Sequence, residues 1–230
     1  METVFARHNN YSFLSVVTGS QQVMTQTIQA SMILIDELES KIGLQEVSDN
    51  QFFSEWQDNL PEIDDWERLA LDRLKTGYFS LLKKPPLLEN AVRMAVLHPL
   101  LFIAGLYLSP LQAKPEKSLR IALEDEDETI VEGRIDILVL KDQLWLMVIE
   151  SKRAGISLEE AIAQLLTYML GNPNPDKPTF GMVTNGGSFL FVKLVKAEIT
   201  QYALSDMFVL RRQENELYQV LKILKSLASR

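Results

Sequence analysis

The chain has 230 residues, 47% of them apolar, and a net charge of −8. That is enough for one large domain, or a domain with a substantial extension. It contains no cysteine, which excludes a disulfide scaffold, an iron–sulfur cluster and a thiolate zinc site.

The acidic balance argues against broad non-specific coating of nucleic acid. It leaves room for a nuclease, because metal-binding acids add negative charge to a site that a local basic patch can still serve. No 18-residue apolar run is present, so no membrane span is expected. The opening "METVFARHNNYSF" lacks the basic, apolar and small-residue regions of a signal peptide. A reducing, cytoplasmic location fits these features best. His8 and His98 are far apart and suggest no histidine metal cluster.

In chain order, "QQVMTQTIQASMILIDELESKI" (Gln21 to Ile42) has helical spacing at Val23, Ile28, Met32, Ile35 and Leu38. A second amphipathic helix is expected from about Glu62 to Leu82, with Trp66, Leu69, Leu71 and Leu74 among its apolar positions. "KKPP" (Lys83 to Pro86) punctuates the chain. A third helix follows in "LLENAVRMAVLHPLLFIAGLYL", kinked or divided by Pro99. After Pro115 the pattern turns to strands, "SLRIALE" and "TIVEGRIDILVL", with Glu124 to Glu128 as a solvated hairpin tip. "LWLMVIESK" reads as a third strand. "SLEEAIAQLLTYML" reads as a helix opened by a capping box, Ser157 with Glu160. "TFGMVTNGGSFLFVKLV" reads as two strands around the turn "NGG". The last stretch repeats apolar residues at Leu217, Val220, Leu221 and Leu224, as one helix face does. That face could also serve a homodimer or a protein partner.

The order predicts an α/β fold. Residues 1–85 form a helical N-terminal extension capping the sheet, 86–205 the α/β core, and 206–230 a C-terminal amphipathic helix.

The chemistry concentrates in "GRIDILVLKDQLWLMVIESKRAG". It reads as buried sheet, yet carries Asp136, Glu150 and Lys152. Burying a carboxylate costs several kcal/mol unless a cation compensates. Along the third strand Leu144, Leu146, Val148, Glu150 and Lys152 share one face, and Trp145, Met147, Ile149 and Ser151 the other. Glu150 and Lys152 stand roughly 6.6 Å apart along the strand, at its end. Parity decides whether Asp136 joins them. A two-residue loop at Lys141-Asp142 pairs Asp136 with Met147, on the wrong face. A three-residue loop pairs it with Val148, on the face of Glu150, and a five-residue loop pairs it with Glu150 itself. If the two acids cooperate, the connection has an odd number of residues or the ladder holds a bulge.

Two carboxylates on one face can hold Mg²⁺, which takes hard oxygen ligands and keeps several waters. Water on such a metal is a better nucleophile. A neighbouring lysine can orient it or neutralise charge building at phosphorus. The competing reading is a structural salt bridge of Lys152 with Glu150 or Asp136.

These stretches resemble the PD-(D/E)XK nuclease superfamily, and within it the N-terminal nuclease domain of type I restriction enzyme R subunits. "GRIDILVL" resembles its G-R-x-D strand, "VIESKRA" its E-x-K strand, "AQLLTY" its Q-x-x-x-Y helix and "FGMVTNGGSFLF" its later strand pair. "ENAVRMAVLHPLLFIAGLY" resembles the helix that brings a glutamate. The order agrees across roughly Glu89 to Leu194.

The resemblance implies a restriction-endonuclease-like mixed sheet (αβββαβ) flanked by helices, and metal-dependent cleavage of DNA, with RNA as an open alternative. It implies Asp136 and Glu150 as ligands of Mg²⁺ or Mn²⁺, Lys152 as the catalytic lysine, the backbone carbonyl of Ser151 as a further ligand and Glu89 as a supporting acid. It places Gln164 and Tyr168 toward DNA and the active site; read without it, they are helix surface and a packed tyrosine. The chain departs from the pattern in having Ile135, not proline, before Asp136. It also has no G-x-x-x-x-G-K-[ST] loop, so the likeness covers no ATP motor.

Several candidates have plainer readings. Arg134 and Arg153 could reach phosphates or be solvated rim. His98 reads as core or capping, and Trp145 as core. "TNGG" could touch phosphate through backbone N–H groups, but a hairpin explains its glycines. The alternative to a nuclease is a nuclease-fold module that no longer cuts and binds nucleic acid or a protein partner.

Overall fold

The computed structural model describes residues 12–14, 25–122 and 129–230. In chain order its elements are β1 (Ser12–Leu14), β2 (Thr25–Gln29), α1 (Ile35–Ile42), β3 (Gln45–Glu46), α2 (Asp65–Leu82), α3 (Glu89–Val92), α4 (His98–Ile103), β4 (Leu111–Ala122), β5 (Ile130–Lys141), β6 (Leu144–Ser151), α5 (Glu159–Leu170), β7 (Thr179–Thr184), β8 (Ser188–Val195), β9 (Gln201–Leu204), β10 (Phe208–Val209) and α6 (Leu217–Ala228). The strands form one mixed sheet in the order β1-β2-β5-β6-β7-β8-β9-β3, with β4 beside β5 and β10 beside β8. The fold is α/β.

Both faces of the sheet are covered, which is why β6 and β7 read as near-continuous apolar runs. On one face Ile137, Val139, Met147, Ile149 and Phe191 pack against α2, the α3–α4 helix and α6. On the other, Leu138, Val148, Val183 and Leu190 pack against α5 and α1. β6 and β7 run parallel, and α5 is the crossover that parallel neighbours require. Gly181 lets α5 lie close, since a Cβ there would sit 2.6 Å from the Met169 sulfur and 2.8 Å from Leu165.

The expected run of three strands, a helix and two strands is present, and residues 201–209 add β9 and β10, which the sequence reading did not anticipate. The expected helix from Gln21 to Ile42 does not form as one element. Within the described residues, Thr25–Gln29 is a strand parallel to β5, and a short 3₁₀ turn leads into α1. "TQTIQ" has the β-branched alternation of a strand, and sheet pairing outweighs the helical spacing. With β3 on β9, residues before 85 supply strands as well as helices. The Glu124–Glu128 tip and residues 21–24 lie outside the described residues.

On α2 the buried stripe is Glu67, Leu71, Leu74 and Tyr78. Trp66 and Leu69 fall off it and are exposed. Ser157 and Glu160 form no capping box. Leu158 is the N-cap, and the Ser157 hydroxyl turns to Glu159 instead. Helix α3 passes into α4 through a π-helical turn, Arg93–Leu97. Pro99 lacks an N–H and its ring crowds the carbonyl four residues back, so the chain widens there without breaking. His98 is exposed, with Nδ1 2.8 Å from the Tyr107 hydroxyl, so it is not a core residue. Leu217, Val220, Leu221 and Leu224 are fully buried against α2 and the sheet. That face of α6 is part of the core and is not available to a second copy.

Candidate active site

The turn between β5 and β6 has two residues, Asp142 and Gln143, both at positive φ (50° and 66°). Lys141 pairs with Leu144 and Leu140 with Trp145 across it. Continued unchanged, that register would set Asp136 opposite Ile149, on the face away from Glu150. A bulge corrects it. Val139 pairs with Met147, Leu138 with Val148 and Ile137 with Ile149, leaving Leu146 without a partner. Carried one step past the last pair, Ile137 with Ile149, the shifted register sets Asp136 on the face of Glu150. The bulge also separates Leu146 from Val148, which the simple alternation had put on one face: Leu146 joins the α2–α6 side and Val148 the α5 side. Trp145, beside the bulge, is half-buried and does not belong to the core proper.

Strand β5 has β4 along one edge from Ile130 to Lys141, with a break at Asp136, where Glu116 turns to positive φ. Along its other edge it has β2 at Ile130–Glu132 and β6 at Ile137–Lys141. Among the described residues Gly133 to Asp136 has no ladder partner on that edge, and the site occupies this gap. Side chains replace the missing ladder bonds. The Asp136 carboxylate accepts the Ser151 N–H at 2.7 Å and the Ser151 hydroxyl at 2.6 Å, both on Oδ2. The Tyr168 hydroxyl accepts the Arg134 N–H at 3.2 Å. Gly133 permits that contact: a Cβ there would lie 2.6–2.7 Å from the Tyr168 ring and hydroxyl.

Lys152 Nζ donates to Glu150 Oε1 at 2.9 Å and to Gln164 Oε1 at 2.7 Å. Gln164 Nε2 donates to the Tyr168 hydroxyl at 2.8 Å. One chain of hydrogen bonds thus runs from Glu150 through Lys152, Gln164 and Tyr168 to the backbone of β5. Gln164 and Tyr168 share a helix face because they are four apart. Both are buried, so they face Lys152 and are not helix surface.

Glu150 is 4% exposed, and its Oε2 has no hydrogen-bond partner among the described residues. Burial, then the Asp136 carboxylate, push its carboxyl up to about 7, against the downward pull of Lys152. Burial likewise raises the Tyr168 phenol, against the Gln164 hydrogen bond.

Glu89, at the start of α3, approaches through a residue the sequence reading missed. Arg93 Nη2 bonds Asp136 Oδ1 at 2.6 Å and also the Glu89 carboxylate, while Nε donates to Ser151 Oγ at 2.7 Å. The signal was available: Glu89 and Arg93 are spaced i, i+4 on one helix face.

The remaining candidates stand apart. Arg134 is exposed and pairs with Glu116 at 3.6 Å. Arg153 is exposed at the rim. In "TNGG" the Gly186 N–H is taken by Thr184 Oγ1, and the Gly187 and Ser188 N–H groups by Asn185 Oδ1. Those donors hold the turn, and Asn185 Nδ2 ties it to the Ile156 carbonyl after β6.

Among the described residues, no group of three or more His, Cys, Asp or Glu is arranged to hold a metal ion. The donors on hand are Asp136 and Glu150, with Glu89 behind Arg93. Two carboxylates, one with an oxygen left bare, suit a hard cation that keeps most of its waters. Among the described residues no helix is long and apolar enough to cross a membrane.

No curated protein matches the chain. Residues 117–198 match the family model described as type I restriction enzyme R protein N terminus; the matched stretch carries Asp136, Glu150, Ser151, Lys152, Gln164 and Tyr168, and is similar to a restriction-enzyme domain.

Proposed function

We propose that this protein is a metal-dependent nuclease of the PD-(D/E)XK type that hydrolyses DNA phosphodiester bonds. The observation that carries the reading is the surroundings of Glu150: a buried carboxylate with one bare oxygen, a lysine on the other, and a second carboxylate on the same face across a bulged ladder. The family match over residues 117–198 supports it.

Asp136 and Glu150 would hold Mg²⁺ or Mn²⁺, with the Ser151 carbonyl as a further ligand and Glu89 in support. The bound cation supplies Lewis acidity toward the phosphate and a water of lowered pKa. Ser151 fixes the Asp136 carboxylate through its N–H and hydroxyl. Lys152 stands where it can orient the attacking water and offset charge growing on the phosphate oxygens. Gln164 and Tyr168 hold the lysine head in place. A cleft of about 460 Å³, lined by Tyr78, Pro86, Leu87, Arg153 and Arg211, starts one residue beyond Lys152 in the chain, and its two arginines could contact phosphates.

The test is to incubate intact protein with duplex DNA, single-stranded DNA and RNA, with Mg²⁺, Mn²⁺ or chelator. Cleavage of DNA that needs metal and disappears in Asp136→Ala supports the reading. Cleavage of RNA alone would move the substrate class. No cleavage of any substrate would leave a nuclease-fold binding module in its place.

A further inference from the structure

Arg93 is the feature that the proposed chemistry does not use. Its guanidinium closes a ring of charge. One nitrogen, Nη2, serves both Glu89 and Asp136, and Nε serves the Ser151 hydroxyl, which itself donates to Asp136. The side chain is only 17% exposed, so the guanidinium is largely stripped of water. Lys152 is committed to Glu150 and Gln164. Arg93 is therefore the cation that compensates Asp136 and Glu89.

We propose that Arg93 is the resident counter-ion of the metal-free site and an electrostatic gate on metal loading. It rests on the nuclease reading, because the competing ion is the divalent cation held by Asp136 and Glu150. A guanidinium bonded to a carboxylate stands within a few ångströms of any dication on that carboxylate. At that range like charges repel strongly even with the screening typical of protein sites. Metal entry requires Arg93 to loosen its hold on Asp136. The gate keeps Glu89 and Asp136 together without metal and raises the metal concentration needed to fill the site. The position suits such a motion. Arg93 opens the π-helical turn Arg93–Leu97, where the backbone already departs from regular α geometry, and π-turns recur at functional sites.

The experiment is calorimetric titration of the intact, chelator-stripped chain with Mn²⁺, without nucleic acid, for wild type, Arg93→Gln and Arg93→Lys. Thermal melts with and without Mn²⁺ accompany it. Arg93→Gln is expected to bind Mn²⁺ about 10-fold tighter or more, and to gain more in Tm from Mn²⁺ than wild type does. Arg93→Lys, which keeps the charge but not the two-pronged reach, is expected to fall between. An Arg93→Gln protein that unfolds without metal and refolds on Mn²⁺ also supports the gate, since the ion then replaces the guanidinium. Unchanged or weaker Mn²⁺ binding overturns it, as does a variant that stays unfolded at saturating Mn²⁺. Asp136→Asn and Glu150→Gln separate the two levels. If wild-type Mn²⁺ binding ignores both, the metal site falls and the gate with it. If binding needs both and Arg93→Gln does not tighten it, the gate alone falls.

Discussion

Glu55 and Glu150 are both buried carboxylates with a lysine on one oxygen and, among the described residues, no partner on the other. Around Glu55 the charges are balanced by cations. Lys193 lies at 2.7 Å and Arg230 at 3.7 Å, and Lys193 is further anchored by the Phe52 carbonyl and ring. Around Glu150 acids outnumber cations: Glu89, Asp136 and Glu150 share Arg93 and Lys152. A bare buried oxygen is thus not in itself the mark of a site. The excess of acid is, because it must be met by a proton or by another cation. Glu150 meets it with a raised pKa.

The largest test of this contrast is activity. Asp136→Ala should remove metal binding and cleavage together, whereas Glu55→Gln should cut like wild type. Lys152→Ala should lower the cleavage rate about 100-fold or more, the scale of losing one charge-stabilising group. Lys193→Ala should leave the rate alone and cost up to about 3 kcal/mol in urea melts, because buried Glu55 is left with Arg230 alone, at 3.7 Å, beside it. Lys152→Ala should destabilise less at pH 7, since Glu150 can take up a proton instead. If the two lysine variants lose stability alike and neither changes the rate, the two pairs are equivalent and the contrast fails.

Much of this cluster was legible in the sequence, and the reasons differ by residue. Asp136, Glu150 and Lys152 stood out because charges in an apolar strand demand compensation. The parity of the β5–β6 connection could be posed from the sequence but not solved. Nothing in "KDQLWLMV" marks Leu146 as the bulged residue, and the outcome depends on which packing the two faces allow. Arg93 is only half legible: its i, i+4 spacing from Glu89 is visible, but nothing local says that its helix lies over Asp136, 43 residues on. Glu55 could not be read at all: its partner Lys193 is 138 residues away, and no local pattern announces that pairing. The strand Thr25–Gln29 was lost because its apolar positions also fit a helix, and only its place beside β5 decides between them.

Stability against pH probes the acid excess more gently. In metal-free protein the Glu150 carboxyl titrates at about 7, above its usual 4.5. Folding therefore favours the protonated form. Its contribution is fully present below about pH 4.5 and is lost as pH rises through 7, on the order of 3 kcal/mol in all. Chelated wild type should lose stability relative to Glu150→Gln between pH 5 and 8. Saturating Mg²⁺ should remove the difference in slope. Parallel profiles without metal would mean that Glu150 is compensated as Glu55 is.

The smallest expected effect concerns what holds the lysine. Lys193 is fixed by a backbone carbonyl, which no side-chain change can remove. Lys152 is fixed by a side chain, Gln164, whose amide is itself oriented by the Tyr168 hydroxyl. That hydroxyl accepts from Gln164 Nε2 and from the Arg134 N–H. Tyr168→Phe leaves the ring packed under Gly133 but leaves both donors without an acceptor, a cost of about 1–3 kcal/mol for a buried polar group. The Gln164 amide then loses its reason to keep Oε1 toward Lys152. The cleavage rate should fall about 10-fold, the low end for losing a supporting hydrogen bond, with KM little changed because neither residue is exposed to a bound strand. Gln164→Leu, which removes the bond to Lys152 outright, should fall further, and adding Tyr168→Phe to it should change the rate no more. A double variant that loses the product of the two single effects would mean that Tyr168 acts on the substrate independently and is not part of the relay.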